Sequence, residues 1–226
     1  METGGADSAA AALTLSGVVA DAQALMALMR GIVAGDYAAV ASSLAASPAL
    51  ASSSLLMGAT RQTARDYFFV EIAHYLYAGD TPLHAAAAAF RHAIVPELVS
   101  VGADVQARNR RGAQPLHYAA DGMPGSAHWD PSAQRSTVVA LLEAGADPNA
   151  VDKGGVTPLH RAVRNRSASA VRALIEAGAD VRRPNRSGST PMQLAQWMTG
   201  RGGSGSPIAR AQQKVIVGLL LEHGAG

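Results

Sequence analysis

Cysteine is absent from the chain, and aromatic residues make up only 4% of it. Without cysteine there is no disulfide framework, no thiolate metal site and no thiol nucleophile. No run reaches the ~18 apolar residues of a membrane span. The stretch from Ala9 to Ala20 is mostly apolar, but Glu2 and Asp7 precede it and no basic residue does. A secretory leader carries the opposite charge, so a cytoplasmic protein is expected. Phosphate-binding chemistry lacks its signature as well. The glycines from Gly200 to Gly205 have neither the Lys-Ser/Thr ending nor a preceding strand. His128, Trp129 and Asp130 are adjacent, but no serine or cysteine nucleophile context surrounds them. These absences argue against an enzyme and against a cofactor.

What is abundant is alanine, and arginine far outnumbers lysine, a composition that points to a GC-rich bacterial genome. Charge is unevenly placed. Residues 1–80 hold Arg30, Arg61 and Arg65 against seven acids, whereas residues 81–226 carry a balance of +6.

A repeat dominates the second part. Leu83-His84, Leu116-His117 and Leu159-His160 mark three copies, and Met192-Gln193 a degenerate fourth. Thr81 and Gln114 are 33 positions apart, as are Thr157 and Thr190. In the clearest copy, Thr157-Pro158 suits the start of a helix, hydroxyl at the N-cap and proline in the first turn. A second helix places Val171, Leu174 and Ile175 on one stripe, and Gly178 closes it. Gly102, Gly145 and Gly178 each begin a Gly-Ala-Asp at the same point. Counting back from the glycines predicts the inner stripes: Ile94, Val95, Leu98 and Val99; Thr137, Val138, Leu141 and Leu142; Ala170, Val171, Leu174 and Ile175; Ile216, Val217, Leu220 and Leu221. Val215 and Leu219 are then expected to point outward, to be covered either by a second copy of the chain or by a folded-back insertion.

With Thr-Pro-Leu-His and Gly-Ala-Asp at this period, the sequence resembles the ankyrin-repeat family. The resemblance implies an all-α solenoid of helix pairs with projecting fingers, used to bind other proteins, and no chemistry. It implies repeats at 79–111, 112–153, 154–186 and 187–226. Before them come a tail at 1–21, a capping unit at 22–56 and an aromatic insert at 57–78. The capping unit carries Leu25, Leu28, Met29 and Ile32 at helical spacing, as terminal repeats of solenoids do atypically. The insert reads as a helix from Thr63 to Tyr77, packed on the flanking repeats, with a binding ridge as the alternative. Repeats two and four carry insertions between their helices, the second containing a flexible Gly200–Pro207 tract.

Three regularly spaced histidines invite a metal reading. However, successive repeats stack ~10 Å apart, and zinc needs its ligands ~2 Å from one centre. The family likeness makes His84, His117 and His160 structural. Glu71-x-x-His74 is half of a di-metal motif with its other half missing, so it reads as a helix-surface pair. The basic residues remain. Arg108, Arg110 and Arg111, Lys153, and Arg182, Arg183 and Arg186 fall on successive fingers, with Arg161, Arg164 and Arg166 on an adjoining first helix and its turn. Aligned fingers turn them into one band, and Trp129 on the repeat-two loop either anchors that loop onto the helices beneath it or serves as a further partner contact. The expected partner is a protein with an acidic patch. Nucleic acid fits less well, since no aromatics interleave the band.

Overall fold

The computed structural model describes residues 20–126, 129–197 and 206–225. Residues 1–19 of the expected tail, His128, and residues 198–205 of the insertion in repeat four lie outside the described residues. The described chain starts with helix α1 (residues 20–34), two residues inside the expected tail. Helix α2 (Tyr37–Ala46) follows, capped by the Asp36 carboxylate, which accepts the Ala39 N–H at 3.0 Å. Leu25, Leu28, Met29 and Ile32 of α1 are buried, as the helical spacing predicts.

Residues 63–77 do not form the expected helix. Two short 3₁₀ turns, Ala64–Tyr67 and Val70–Ile72, alternate with a two-residue antiparallel pair, β1 (Phe68–Phe69) and β2 (His74–Tyr75). Ala73, left-handed at φ 47°, turns the chain between them. The physical reason is the composition of the run. Aromatic and β-branched residues suit a pleated, half-buried surface better than a helix. Their burial alternates accordingly: Phe69 and Leu76 are buried, while Phe68, Val70 and Tyr75 are exposed. Glu71 and His74 are therefore not a helix-surface pair.

The repeats then build two layers. First helices are short: α3 (Pro82–Ala88), α5 (Pro115–Ala119), α7 (Pro158–Arg164) and α9 (Pro191–Gln196). Thr81, Thr157 and Thr190 cap three of them, each side chain accepting the N–H three residues on, with proline following at the first position. Second helices are α4 (Val95–Ser100), α6 (Pro131–Glu143), α8 (Ala168–Glu176) and α10 (Pro207–Glu222). Each layer packs in series, α3 on α5 on α7 on α9 and α4 on α6 on α8 on α10. Leu98, Leu141, Leu174 and Leu220, each four residues before a closing glycine, are fully buried between the layers. Gly102, Gly145 and Gly178 close their helices at φ 101°, 95° and 86°. No atom lies within 4 Å of where a Cβ would stand at these three, so conformation alone calls for glycine.

The stripe of the last helix is rotated from the expected register. Ile216 and Leu220 are buried as predicted, but Leu219 is also buried at 4% exposure and Leu221 is 56% exposed. Leu219 occupies the place of the buried Ala173 in α8, five residues before the closing glycine. The outward apolar side chains of α10 are thus Ile208, Val215 and Leu221. Because Leu174 is wholly enclosed, Leu174→Ala is expected to cost ~2–5 kcal/mol, as other large-to-small core substitutions do. Thermal denaturation reads this as a clear fall in melting temperature.

Candidate protein-binding face

The fingers between repeats are built around Asn109, Asp152 and Asn185. Each side-chain oxygen accepts two backbone N–H groups: from Arg111 and Ala113 at 2.9 and 3.1 Å, from Gly154 and Val156 at 2.8 and 3.0 Å, and from Ser187 and Ser189 at 2.9 and 3.0 Å. Each backbone N–H of the trio closes its own turn onto the carbonyl of Ala113, Val156 or Ser189 at 3.0 Å. Neighbouring fingers are then joined directly. Arg110 N–H donates to Ala78, Lys153 N–H to Arg111 and Arg186 N–H to Gly154, at 2.8, 2.9 and 3.0 Å. The approach is close enough to require glycine. At Gly155, φ is 69° and a Cβ would stand 2.9 Å from the Arg186 nitrogen.

The three histidines bind these fingers to the helices. In His84, His117 and His160, Nδ1 accepts the backbone N–H of the cap residue at 3.2 Å. That nitrogen must be bare, so Nε2 carries the proton. It donates to Ala113, Val156 and Ser189 at 3.1, 3.0 and 3.1 Å, in each case in the next repeat. Gln193 performs only the first half in repeat four, its Oε1 accepting the Thr190 N–H at 2.9 Å. Burial lowers the pKa of all three histidines, that of His117 to about 4.

The cations divide into two sets. Arg110, Lys153 and Arg186 hold equivalent positions on hydrogen-bonded fingers and are exposed, as are Arg108, Arg111, Arg164, Arg182 and Arg183. The Arg111 and Arg110 guanidinium groups lie 4.3 and 5.1 Å from the Tyr77 ring centre. Several arginines also hold backbone. Arg108 donates to Gly112 and Val151, Arg110 to Ala59 and Arg182 to Gly224.

Arg161 does not join the exposed band. Its side chain is 11% exposed and bonds Asp121 at 2.8 Å and Asp152 at 3.3 Å. Burial works against its charge, but the two carboxylates outweigh burial and hold its pKa above the usual arginine value. Burial likewise pushes Asp152 up, yet the Val156 and Gly154 N–H groups and Arg161 outweigh it and keep Asp152 below the usual carboxylate value. Arg166 is buried and donates to the carbonyls of Ala195 and Trp197, both at 2.6 Å, at the end of α9. Trp129 is half-buried. Its indole N–H donates to Gln134 at 2.8 Å, and buried Gln134 in turn donates to Ala119 and accepts from Ser167.

Sequence reasoning missed a polar cluster behind the insert. Asp80, fully buried, accepts from Tyr118 Oη at 3.0 Å, Asn109 Nδ2 at 2.8 Å and the Tyr77 N–H at 2.6 Å. The Tyr118 ring meets His74 and His84 edge-on, with centroids 4.7 and 5.2 Å apart. One signal was available. The first-helix position that holds Ala85 in repeat one holds Tyr118 and Arg161 in the next two.

The lowered histidine pKa values make stability depend on pH. In the unfolded chain each histidine titrates near ~6.5; folded, it stays neutral to lower pH. Below pH ~6.5 the unfolded chain therefore binds more protons, and each histidine removes up to ~1.4 kcal/mol per pH unit as pH falls. For His117 this loss continues to about pH 4. Melting temperature is expected to be constant above pH ~7.5 and to fall progressively as pH drops through ~6.5 to ~5. His117→Gln, which imitates Gln193, is expected to reduce that slope by about one proton. Denaturation at a series of pH values measures both.

The family model of the ankyrin repeat matches residues 78–110 and 111–153, and that of ankyrin repeats in many copies matches residues 141–195. Comparison with curated proteins gave no match. Together the family matches run without a break from residue 78 to residue 195, over the helix pairs and fingers just described. This chain is an ankyrin-repeat protein, an all-α solenoid.

Proposed function

We propose that the chain is a non-catalytic protein-binding module, a scaffold or the regulatory partner of another protein, acting through its finger row. Ankyrin repeats generally mediate protein–protein interaction, which supports the class of function. The choice of face rests on one observation: the hydrogen bonds that join successive fingers align Arg110, Lys153 and Arg186, with Arg111 and Arg183 beside them. Guanidinium groups pair bidentately with carboxylates and stack on aromatic rings. The partner accordingly presents an acidic or mixed acidic and aromatic patch. Arg161 is left out of this face, since its charge is already shared by two carboxylates.

Nucleic acid or another polyanion is the alternative occupant, and the salt dependence of binding separates the two. Among the described residues no helix is long and apolar enough to cross a membrane. A cytoplasmic setting and a bacterial source accompany the proposal, on the acidic flank of the N-terminal stretch and the arginine- and alanine-rich composition. A second copy of the chain is a further partner, proposed on exposed Ile208, Val215 and Leu221 of α10.

Exposed ion pairs contribute ~0–1 kcal/mol each, so the row acts mainly by steering association. Lys153→Glu combined with Arg186→Glu is expected to slow association with a partner recovered by affinity capture about tenfold at low salt, with less effect at high salt. Biosensor kinetics on the variant, with circular dichroism as the check on folding, test this. An unchanged rate moves the face elsewhere. For self-association, Val215→Lys is expected to shift the mass measured by light scattering toward the monomer.

A further inference from the structure

The first-helix layer, the hairpin of the aromatic insert and the repeat-two insertion line a half-open cavity of about 190 Å³. Its walls include His74 of the hairpin, Phe90 beyond α3, Tyr118 of α5, and Asp121, Met123 and Trp129 of the repeat-two insertion. Pockets for drug-sized ligands run to about 300–1,000 Å³. This one has room for a single side chain rather than a cofactor.

Its charge is lopsided. Asp121 accepts from Arg161 and from Asn165 Nδ2, both at 2.8 Å, but Arg161 also serves Asp152. Two carboxylates thus share one guanidinium, and the Asp121 side chain remains 23% exposed. A third carboxylate, Asp80, lies behind Tyr118 and holds only neutral donors at hydrogen-bond distance: the Tyr118 hydroxyl, the Asn109 amide and the Tyr77 N–H. Helices α3 and α5 end at this corner. His74 adds no compensating charge, because burial lowers its pKa. Its Nε2 is buried without a hydrogen-bond partner among the described residues. Half-buried Phe90 and Trp129 supply aromatic surface, to which cations are drawn, whereas the Tyr118 ring is 2% exposed and already has the Arg161 guanidinium 5.9 Å from its centre.

We propose that this cavity receives one cationic side chain of the protein partner, an arginine or lysine, inserted between Phe90 and Trp129 with its charge against Asp121. The proposal rests on the protein-binding reading and adds an anchor of opposite sign to the basic finger row. The partner then carries an acidic patch for the fingers and one basic residue beyond it. That pattern sets the register of docking as well as its strength, since a shifted partner brings like charges together.

The test uses small probes and the full chain. N-acetyl-arginine methylamide and N-acetyl-lysine methylamide are titrated into ¹⁵N-labelled protein at pH 7, with N-acetyl-norleucine methylamide as the uncharged control. Saturable amide shifts are expected at residues 89–90, 118–123 and 129 for the cationic probes only. Met123, 55% exposed at the rim, offers a substitution that leaves the packing intact. Met123→Lys puts a competing cation there and is expected to weaken both cationic probes at least tenfold. Asp121→Asn, checked for folding by circular dichroism, is expected to do the same by removing the acceptor charge. Equal shifts from the norleucine control, or undiminished binding to Met123→Lys, overturn the proposal. Absence of shifts overturns it too and leaves the finger row intact, because no partner protein takes part.

Discussion

One carbonyl oxygen per repeat receives two donors, and the arrangement of the solenoid depends on that sharing. The Ala113, Val156 and Ser189 carbonyls each close a finger turn and each accept the imidazole Nε2–H of the preceding repeat. Hydrophobic burial brings helix pairs together, but it is non-directional and leaves the fingers free to swing. The imidazole removes that freedom, because its two nitrogens tie the start of one first helix to the finger after it. Only a neutral ring with a bare Nδ1 can do both. The burial that lowers the histidine pKa values therefore keeps the ring in the form the link requires.

Arginine supplies a second set of links at greater range. Arg91 reaches the Val33 carbonyl at the end of α1, Arg166 the end of α9, and Arg182 the Gly224 carbonyl after α10. Helix ends leave carbonyls without partners, and a long planar donor fits them across a repeat boundary. A count of basic residues thus overstates the charge presented to a partner. Arg161 and Arg166 are structural, whereas Lys153 and Arg186 turn outward with their backbone N–H groups fixed.

The repeat was legible because its signals are redundant. Cap, proline, histidine and closing glycine recur together, and the stripe residues Ala170, Val171, Leu174 and Ile175 are all buried. Where redundancy ended, the reading slipped. The run from Thr63 to Tyr77 places apolar residues at intervals compatible with both helical and alternating periods, so periodicity alone could not choose. At the end of the array, Leu219 and Leu221 flank the shared stripe on opposite sides, and the packing of α10 on α8 and α9 decided between them. The cavity was out of reach for a different reason. His74, Phe90, and the pair Asp121 and Trp129 come from three separate connections whose meeting is a property of the stack. The charge of Arg161 was visible, but its two carboxylate partners lie 40 and 9 positions away in the chain.

The hydrogen bonds between fingers have a consequence for how such a surface can change over generations. At positions 153 and 186 the scaffold uses only the main-chain N–H, which nineteen of the twenty amino acids supply. The glycines beside them, by contrast, are locked by the spacing of neighbouring chains. Each finger therefore alternates an invariant support with a replaceable letter. New recognition can be written at the replaceable sites one letter at a time, without renegotiating the fold.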